Sequence, residues 1–218
     1  MPLPVASLHA LLGRSPDDAG LRESLAALFG SAPQPDVKTY PDSTYHNYYA
    51  LGVSLCFTGS PLALDSVDVF NAPAGPSGSA STKSTKPAYS PAPPLLLQFA
   101  ETEVVLPPRK EGDEPFRYPR PEAFDVVPAT KGRDIVRVLG EPSRKGSGGW
   151  VGVWLEWGRV GLKDEAGRVD VGLMLELSDP KGAEQLTEEQ RKKGAGGVWD
   201  RAAGWAWGSI KVFRPADK

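Results

Sequence analysis

The sequence predicts an α+β fold: two tandem helix-plus-antiparallel-sheet (meander) repeats interrupted by long disordered loop insertions. Three observations carry that expectation. The same short order of motifs occurs twice, apolar residues alternate at strand spacing in both halves, and Gly/Pro-rich stretches separate the periodic segments. In the first half the order is Leu28-Phe29-Gly30 with Pro33, an aromatic strand Tyr45 to Tyr49, Gly52 to Phe57, and Ser66-Val67-Asp68-Val69-Phe70. In the second it is Leu139-Gly140-Glu141-Pro142, Trp154 to Trp157, Gly172 to Leu177, and Ser209-Ile210-Lys211-Val212-Phe213. This places one repeat in residues 1–106, with a disordered loop at 71–94. The second occupies 107–218, with a flexible insertion at 179–197.

Leu8, Leu11 and Leu12 before Gly13 predict a short opening helix closed by glycine. Ser15 reads as the N-cap of the next helix, with Pro16 at its first position and Asp18 completing a capping-box-like pattern. Leu21, Leu25, Leu28 and Phe29 form its apolar stripe, and Gly30 ends it. The second-half helix is expected from a Thr130 N-cap, with Ile135, Val136, Val138 and Leu139 buried; Gly140 and Pro142 stop it.

Val53, Leu55 and Phe57 alternate with Ser54 and Cys56, as Leu173, Leu175 and Leu177 do with Met174 and Glu176. A sheet with one face on a core and the other free requires that pattern. Leu95 to Leu106 reads as one further strand extending the first sheet. Arg159 to Lys163 and Arg168 to Val171 read as a hairpin turning at Asp164 to Gly167. Asn71 to Pro94, Pro107 to Pro121 and Asp179 to Gly197 read as solvated excursions, the last carrying a loose helical stretch from Glu184 to Lys193.

Composition narrows the function classes. Of 218 residues 40% are hydrophobic and 24% charged, values ordinary for a globular protein. A net charge of −2 and pI near 5.8 give no broad footprint for nucleic acid or anionic membrane. Cys56 is the single cysteine, so neither an intrachain disulfide nor a cysteine metal cluster is available. No apolar run approaches the roughly 20 residues of a membrane span, and the N-terminus lacks a basic signal-peptide region. The expectation is an intracellular, cytoplasmic protein without a cofactor.

The run Thr130-Lys131-Gly132-Arg133-Asp134-Ile135-Val136-Arg137-Val138-Leu139-Gly140-Glu141-Pro142-Ser143-Arg144-Lys145-Gly146 is followed by Trp154-Leu155-Glu156-Trp157, Trp199-Asp200-Arg201 and the closing strand. Together they resemble a group of uncharacterised fungal proteins, over most of the second half; that resemblance implies no activity. Asn47-Tyr48-Tyr49-Ala50-Leu51-Gly52-Val53 and the later Leu-Gly-x-Pro resemble part of the phagosome assembly factor family. The order helix, Leu-Gly-x-Pro, meander also resembles the repeat of β-lactamase inhibitory protein and of the bacterial outer-membrane assembly lipoprotein. That likeness implies a fold and a habit of binding other proteins.

Candidate sites are few. All six tryptophans follow residue 149. Trp154, Trp205 and Trp207 beside Met174 read either as cross-strand packing or as an exposed aromatic hot spot for a protein partner. Arg144 and Lys145 read as solvated surface or as a grip for an acidic partner. Glu156 and Glu176 are the candidate catalytic pair, since paired carboxylates with split pKa values perform glycosidic chemistry; the plain alternative is two solvated glutamates. His9 and His46 have no Cys or His neighbour at metal-ligand spacing, and no nucleophile elbow, phosphate loop or dinucleotide fingerprint occurs. The expected function is a non-enzymatic protein-binding or scaffolding module using the free sheet face. The alternative is a small hydrolase or carbohydrate-acting enzyme on Glu156 and Glu176.

Overall fold

The computed structural model describes residues 1–71, 88–108, 110, 112–147, 152–179 and 199–216. Its main element is an eight-stranded antiparallel sheet. Four strands come from the first half: β2 (Asp36–Thr39), β3 (Ser43–Tyr48), β4 (Val53–Thr58) and β5 (Ala63–Phe70). Four come from the second: β10 (Arg144–Ser147), β11 (Val153–Asp164), β12 (Gly167–Ser178) and β13 (Ala206–Phe213). The order across the sheet is β10-β11-β12-β13-β5-β4-β3-β2. The two sets meet where β13 pairs with β5, Ser209 opposite Phe70 and Phe213 opposite Ser66.

This corrects the expected α+β architecture of two helix-plus-sheet repeats. Among the described residues 46% are strand and 18% helix, in four short segments, so the molecule is mostly β. The α-helices are α1 (Val5–His9), α2 (Ala19–Phe29), α3 (Gly132–Leu139) and a turn at 199–202, with a 3-10 turn at Tyr49–Leu51 besides. They are too short to form a layer of their own. Hydrogen bonding between β5 and β13 instead merges the strands of both halves into one sheet without an edge between them.

A three-stranded sheet adds to the second layer: β1 (Leu3–Pro4) pairs parallel with β6 (Leu95–Gln98), which pairs antiparallel with β9 (Ala123–Val126). A hairpin of β7 (Glu103–Leu106) and β8 (Phe116–Pro119) forms a separate two-stranded sheet beside α3, where the Tyr118 hydroxyl donates to the Arg137 carbonyl. Leu95 to Leu106 is therefore two strands in two sheets rather than one strand of the large sheet. Part of the expected 107–121 excursion is strand β8. The expected loose helix at Glu184 to Lys193 and most of the 71–94 loop lie outside the described residues.

The local signals failed at some helix starts. α2 begins at Ala19 behind Asp18, whose side chain accepts from the Gly20 N–H, so the cap is Asp18 and not Ser15. α3 is capped at Lys131, its N–H donating to Asp134, while Thr130 turns its hydroxyl to accept from the Val127 N–H.

One side of the large sheet builds the core. Val53, Leu55 and Phe57 of β4, Val67 and Val69 of β5, Leu173, Leu175 and Leu177 of β12, and Ile210 and Val212 of β13 are buried in one cluster. Val5 and Leu8 of α1, Leu21 and Leu25 of α2, Ile135 of α3 and Leu95, Leu97 and Val126 of the small sheet join the same cluster. α1 packs on β6, β11, β12 and β13. The interior closes with a void of ≈10 Å³ between α1, α3 and the two sheets, about the size of one water probe. Gly52 is fixed by two constraints: its φ of 71° is left-handed, and a Cβ there would collide with the Ser90 carbonyl.

Candidate functional site

The other face of the sheet carries the alternate residues. Register places Ser43, Tyr45 and Asn47 of β3 beside Thr58, Cys56 and Ser54 of β4; Ser66 and Asp68 of β5 follow. Across the junction come Ser209, Lys211 and Phe213 of β13, then Met174 and Glu176 of β12, then Glu156 and Trp154 of β11, and Arg144 and Gly146 of β10. The helices and the small sheet bury their apolar residues on the opposite side. On this face small residues occupy the central strands and rings rise around them, which leaves two depressions.

The first depression, ≈700 Å³, is bordered by Tyr40, Tyr45, Tyr49, Phe70 and Tyr89, with Asn47, Ser54 and Asp68 between them. Tyr89 stacks on Phe70 with centroids 3.9 Å apart and planes at 19°, and meets Tyr49 at 4.7 Å. Its hydroxyl donates to Asn47 Oδ1 at 2.7 Å, and the Ser54 hydroxyl donates to the same oxygen at 2.9 Å. Asn47 Nδ2 in turn donates to the Asp36 carbonyl, so the amide orientation is set on every side. At the rim Lys38 Nζ donates to the Tyr49 hydroxyl at 2.9 Å and pairs with Asp36 at 3.3 Å. It also lies 5.6 Å from the Tyr49 ring centroid. Those hydrogen bonds, the one to Tyr49 first, hold its pKa above the ordinary lysine value. Tyr45 is pushed up to about 12, first by its hydrogen bond with the Cys56 thiol and then by burial.

The second depression, ≈390 Å³, is bordered by Asp65, Glu156, Met174, Lys211, Phe213 and Arg214, among others. At the junction Asp68 faces Lys211, with Oδ2 3.3 Å from Nζ. Burial raises the Asp68 pKa while Lys211 opposes the rise. The side chain still keeps 15% of its surface exposed, so water tempers the effect. Glu176 is raised too, mainly by burial and further by the Asp68 charge, against a hydrogen bond from Ser209 and the charge of Lys211.

The expected site residues divide. Trp154, Met174, Arg144, Glu156 and Glu176 do share this face. Trp154 is half-buried over Gly146, where a Cβ would strike its ring, and Arg144 lies 5.9 Å from the ring centroid. Trp207 is not with them: it is 2% exposed, packs on the core side and donates Nε1–H to the Val127 carbonyl at 2.8 Å. The cause is a bulge. Ser209 pairs with Glu176 but Trp207 pairs with Leu177, so Gly208 is the extra residue and everything before it changes face. Trp205 also packs against the core, its carbonyl accepting from the Gly132 N–H. Lys145 pairs with Leu155, on the core side of the edge strand, with its amine 3.0 Å from Glu141 and 5.8 Å from the Trp199 centroid. The Trp154–Trp205–Trp207 hot spot is therefore not assembled.

Glu156 and Glu176 are diagonal neighbours, Glu156 opposite Met174 and Glu176 opposite Trp154. Each has its own partner: Arg144 at 3.4 Å for Glu156, Ser209 for Glu176. Glu156 borders the second depression and Glu176 borders neither. Among the described residues no group of three His, Cys, Asp or Glu side chains is placed to hold a metal. No helix of the described residues is long and apolar enough to cross a membrane. What the sequence reading passed over is the tyrosine wall. Its signal was present in the alternation of Tyr45 and Asn47 along β3 and of Ser54 and Cys56 along β4, which face one another across the strands, but Tyr89 comes from a stretch read as disordered.

Comparison with family models, with curated proteins and with solved structures found no match.

Proposed function

We propose that the chain is a non-enzymatic protein-binding module, and that its free sheet face takes an extended segment of a partner bearing a lysine or arginine side chain. The carrying observation is the tyrosine-walled depression beside Asp42 and Asp68. Rings at its border offer faces on which a guanidinium or ammonium group stacks, as Lys38 already does over Tyr49. Lys38 is paired with Asp36 and Lys211 with Asp68, while Asp42 has no ion pair among the described residues. The local surplus is acidic, which suits a basic segment. The buried polar groups of the floor are satisfied internally, so they hold the rings in place rather than waiting on a reaction.

An immobilised peptide panel graded in basic and aromatic content tests this. Basic peptides are expected to bind the purified chain and to lose at least tenfold in affinity with the double variant Tyr49→Ala/Tyr89→Ala, checked for folding by circular dichroism. Equal binding of acidic and basic peptides, or unchanged affinity in a folded double variant, would overturn the reading.

A further inference from the structure

A second concave surface lies on the core side of the sheet, away from the face just described. It is an apolar groove of ≈370 Å³ between α3, the ends of β11 and β12, and residues 199–203. Leu106, Tyr118, Val136, Leu155, Leu177 and Trp199 supply its walls. It exists because α3 is brought close to the sheet by a glycine: a Cβ on Gly132 would press on both methyls of Leu177, and the Gly132 N–H donates to the Trp205 carbonyl. The helix then leans on the end of β12 and leaves a gap toward β10.

The groove has an asymmetric rim. Arg133 and Arg137 stand four residues apart on α3, both exposed, and neither has an ion-pair partner among the described residues. Asp134, between them, turns back to the helix start, where it accepts from the Lys131 N–H. Lys145, on the opposite rim, is held by Glu141. Two unpaired cations one helical turn apart above an apolar slot form a directional pattern. Carboxylates one turn apart on a second helix meet both guanidinium groups while its apolar stripe enters the slot. An uncharged apolar ligand would leave the two cations unused, and a basic segment would be repelled.

We infer that this groove docks an acidic amphipathic helix of another protein, with aliphatic side chains at i, i+3 or i+4 in the slot and Glu or Asp facing Arg133 and Arg137. The site is separate from the tyrosine-walled depression and does not depend on it.

Fluorescence anisotropy on the full chain tests it with a fluorescein-labelled peptide of about four helical turns, leucines at i, i+3, i+4 and i+7 and glutamates along one flank. Saturable binding is expected, weakened at least tenfold by R133E/R137E, abolished by Val136→Asp, weakened by salt and untouched by Tyr89→Ala. Circular dichroism confirms that each variant folds, and the exposed double reversal tests the idea even if Val136→Asp does not fold. Equal binding of a scrambled peptide of the same composition would overturn the inference, as would an unchanged R133E/R137E variant. So would binding gained only when Glu184, Glu188 and Glu189 are changed to Gln, because the groove would then be the seat of the chain's own acidic stretch.

Discussion

The two faces of the large sheet are made by the same strands and obey different rules. On the core face Leu55, Phe57, Val67, Leu175 and Val212 are closed off by α1, α2, α3 and the small sheet, and each side chain is judged by fit alone. The free face has Ser54, Cys56, Ser66 and Ser209 at its centre, nearly as buried, yet what shields them is the taller neighbours Tyr45, Phe70, Phe213 and Met174. Where the second layer covers these residues it leaves no room for a ligand. Shielding by neighbours on one's own sheet leaves depressions. That contrast is the reason the tyrosine-walled site lies on the free face, while the core side opens in a groove beside α3, at the margin of the covering layer.

Paired tryptophans give the largest test of the contrast. Trp207→Ala removes a core ring and its bond to Val127, and should cost about 3–5 kcal/mol in chemical denaturation. Trp154→Ala removes a ring lying over Gly146 on the free face and should cost about 1 kcal/mol or less. Equal losses would erase the distinction between the faces.

Next in size is the junction pair. Lys211→Met leaves Asp68 without its counter-charge in a site that water reaches only in part, a loss of about 1–3 kcal/mol at neutral pH. The pH dependence follows from the raised pKa values. Because Asp68 and Glu176 are held above the ordinary carboxylate range, the folded chain keeps protons that the unfolded chain has already released. These two groups therefore lower stability as pH rises from the ordinary carboxylate value through the raised one. In Lys211→Met that decline should deepen and extend to higher pH, read from denaturation midpoints across the acidic range. Midpoints that move in parallel for both proteins would contradict the assignment.

The smallest effect is at the sheet edge. Arg144→Ala breaks an ion pair with Glu156 whose arginine side chain is 70% exposed, and should change stability by about 0–1 kcal/mol. A loss well beyond that would mean the free face at β10 is covered.

Much of the free face was legible in the chain, since the alternation at 53–57 and 173–177 assigns each side chain to one side or the other. The position of Trp207 was not legible. Parity from Ser209 and Lys211 would put it on the free face, and only the bulge at Gly208 moves it to the core. A bulge is one residue without a partner, so it is visible only once the partner strand is known. Asp65 does the same in β5: Cys56 pairs with Ser66 but Phe57 pairs with Leu64, which returns Leu64 to the core. Tyr89 was missed for a related reason. Its flanks carry the composition of a loop, and its order comes from Phe70 and Asn47, residues far enough away that no local pattern reports them.

The amino-acid order by itself determined strand periodicity, the positions of glycine stops such as Gly30 and Gly140, and which residues of a strand share a side. Tertiary structure alone decided that Ser66 to Phe70 lies against Ser209 to Phe213, and so that a mostly β molecule with one broad sheet replaces two separate α+β units. The reason is range. Alternation and capping act over a few neighbouring residues, whereas a strand's partner is chosen by hydrogen bonds and shared burial across more than a hundred intervening residues, about which the local pattern carries no information.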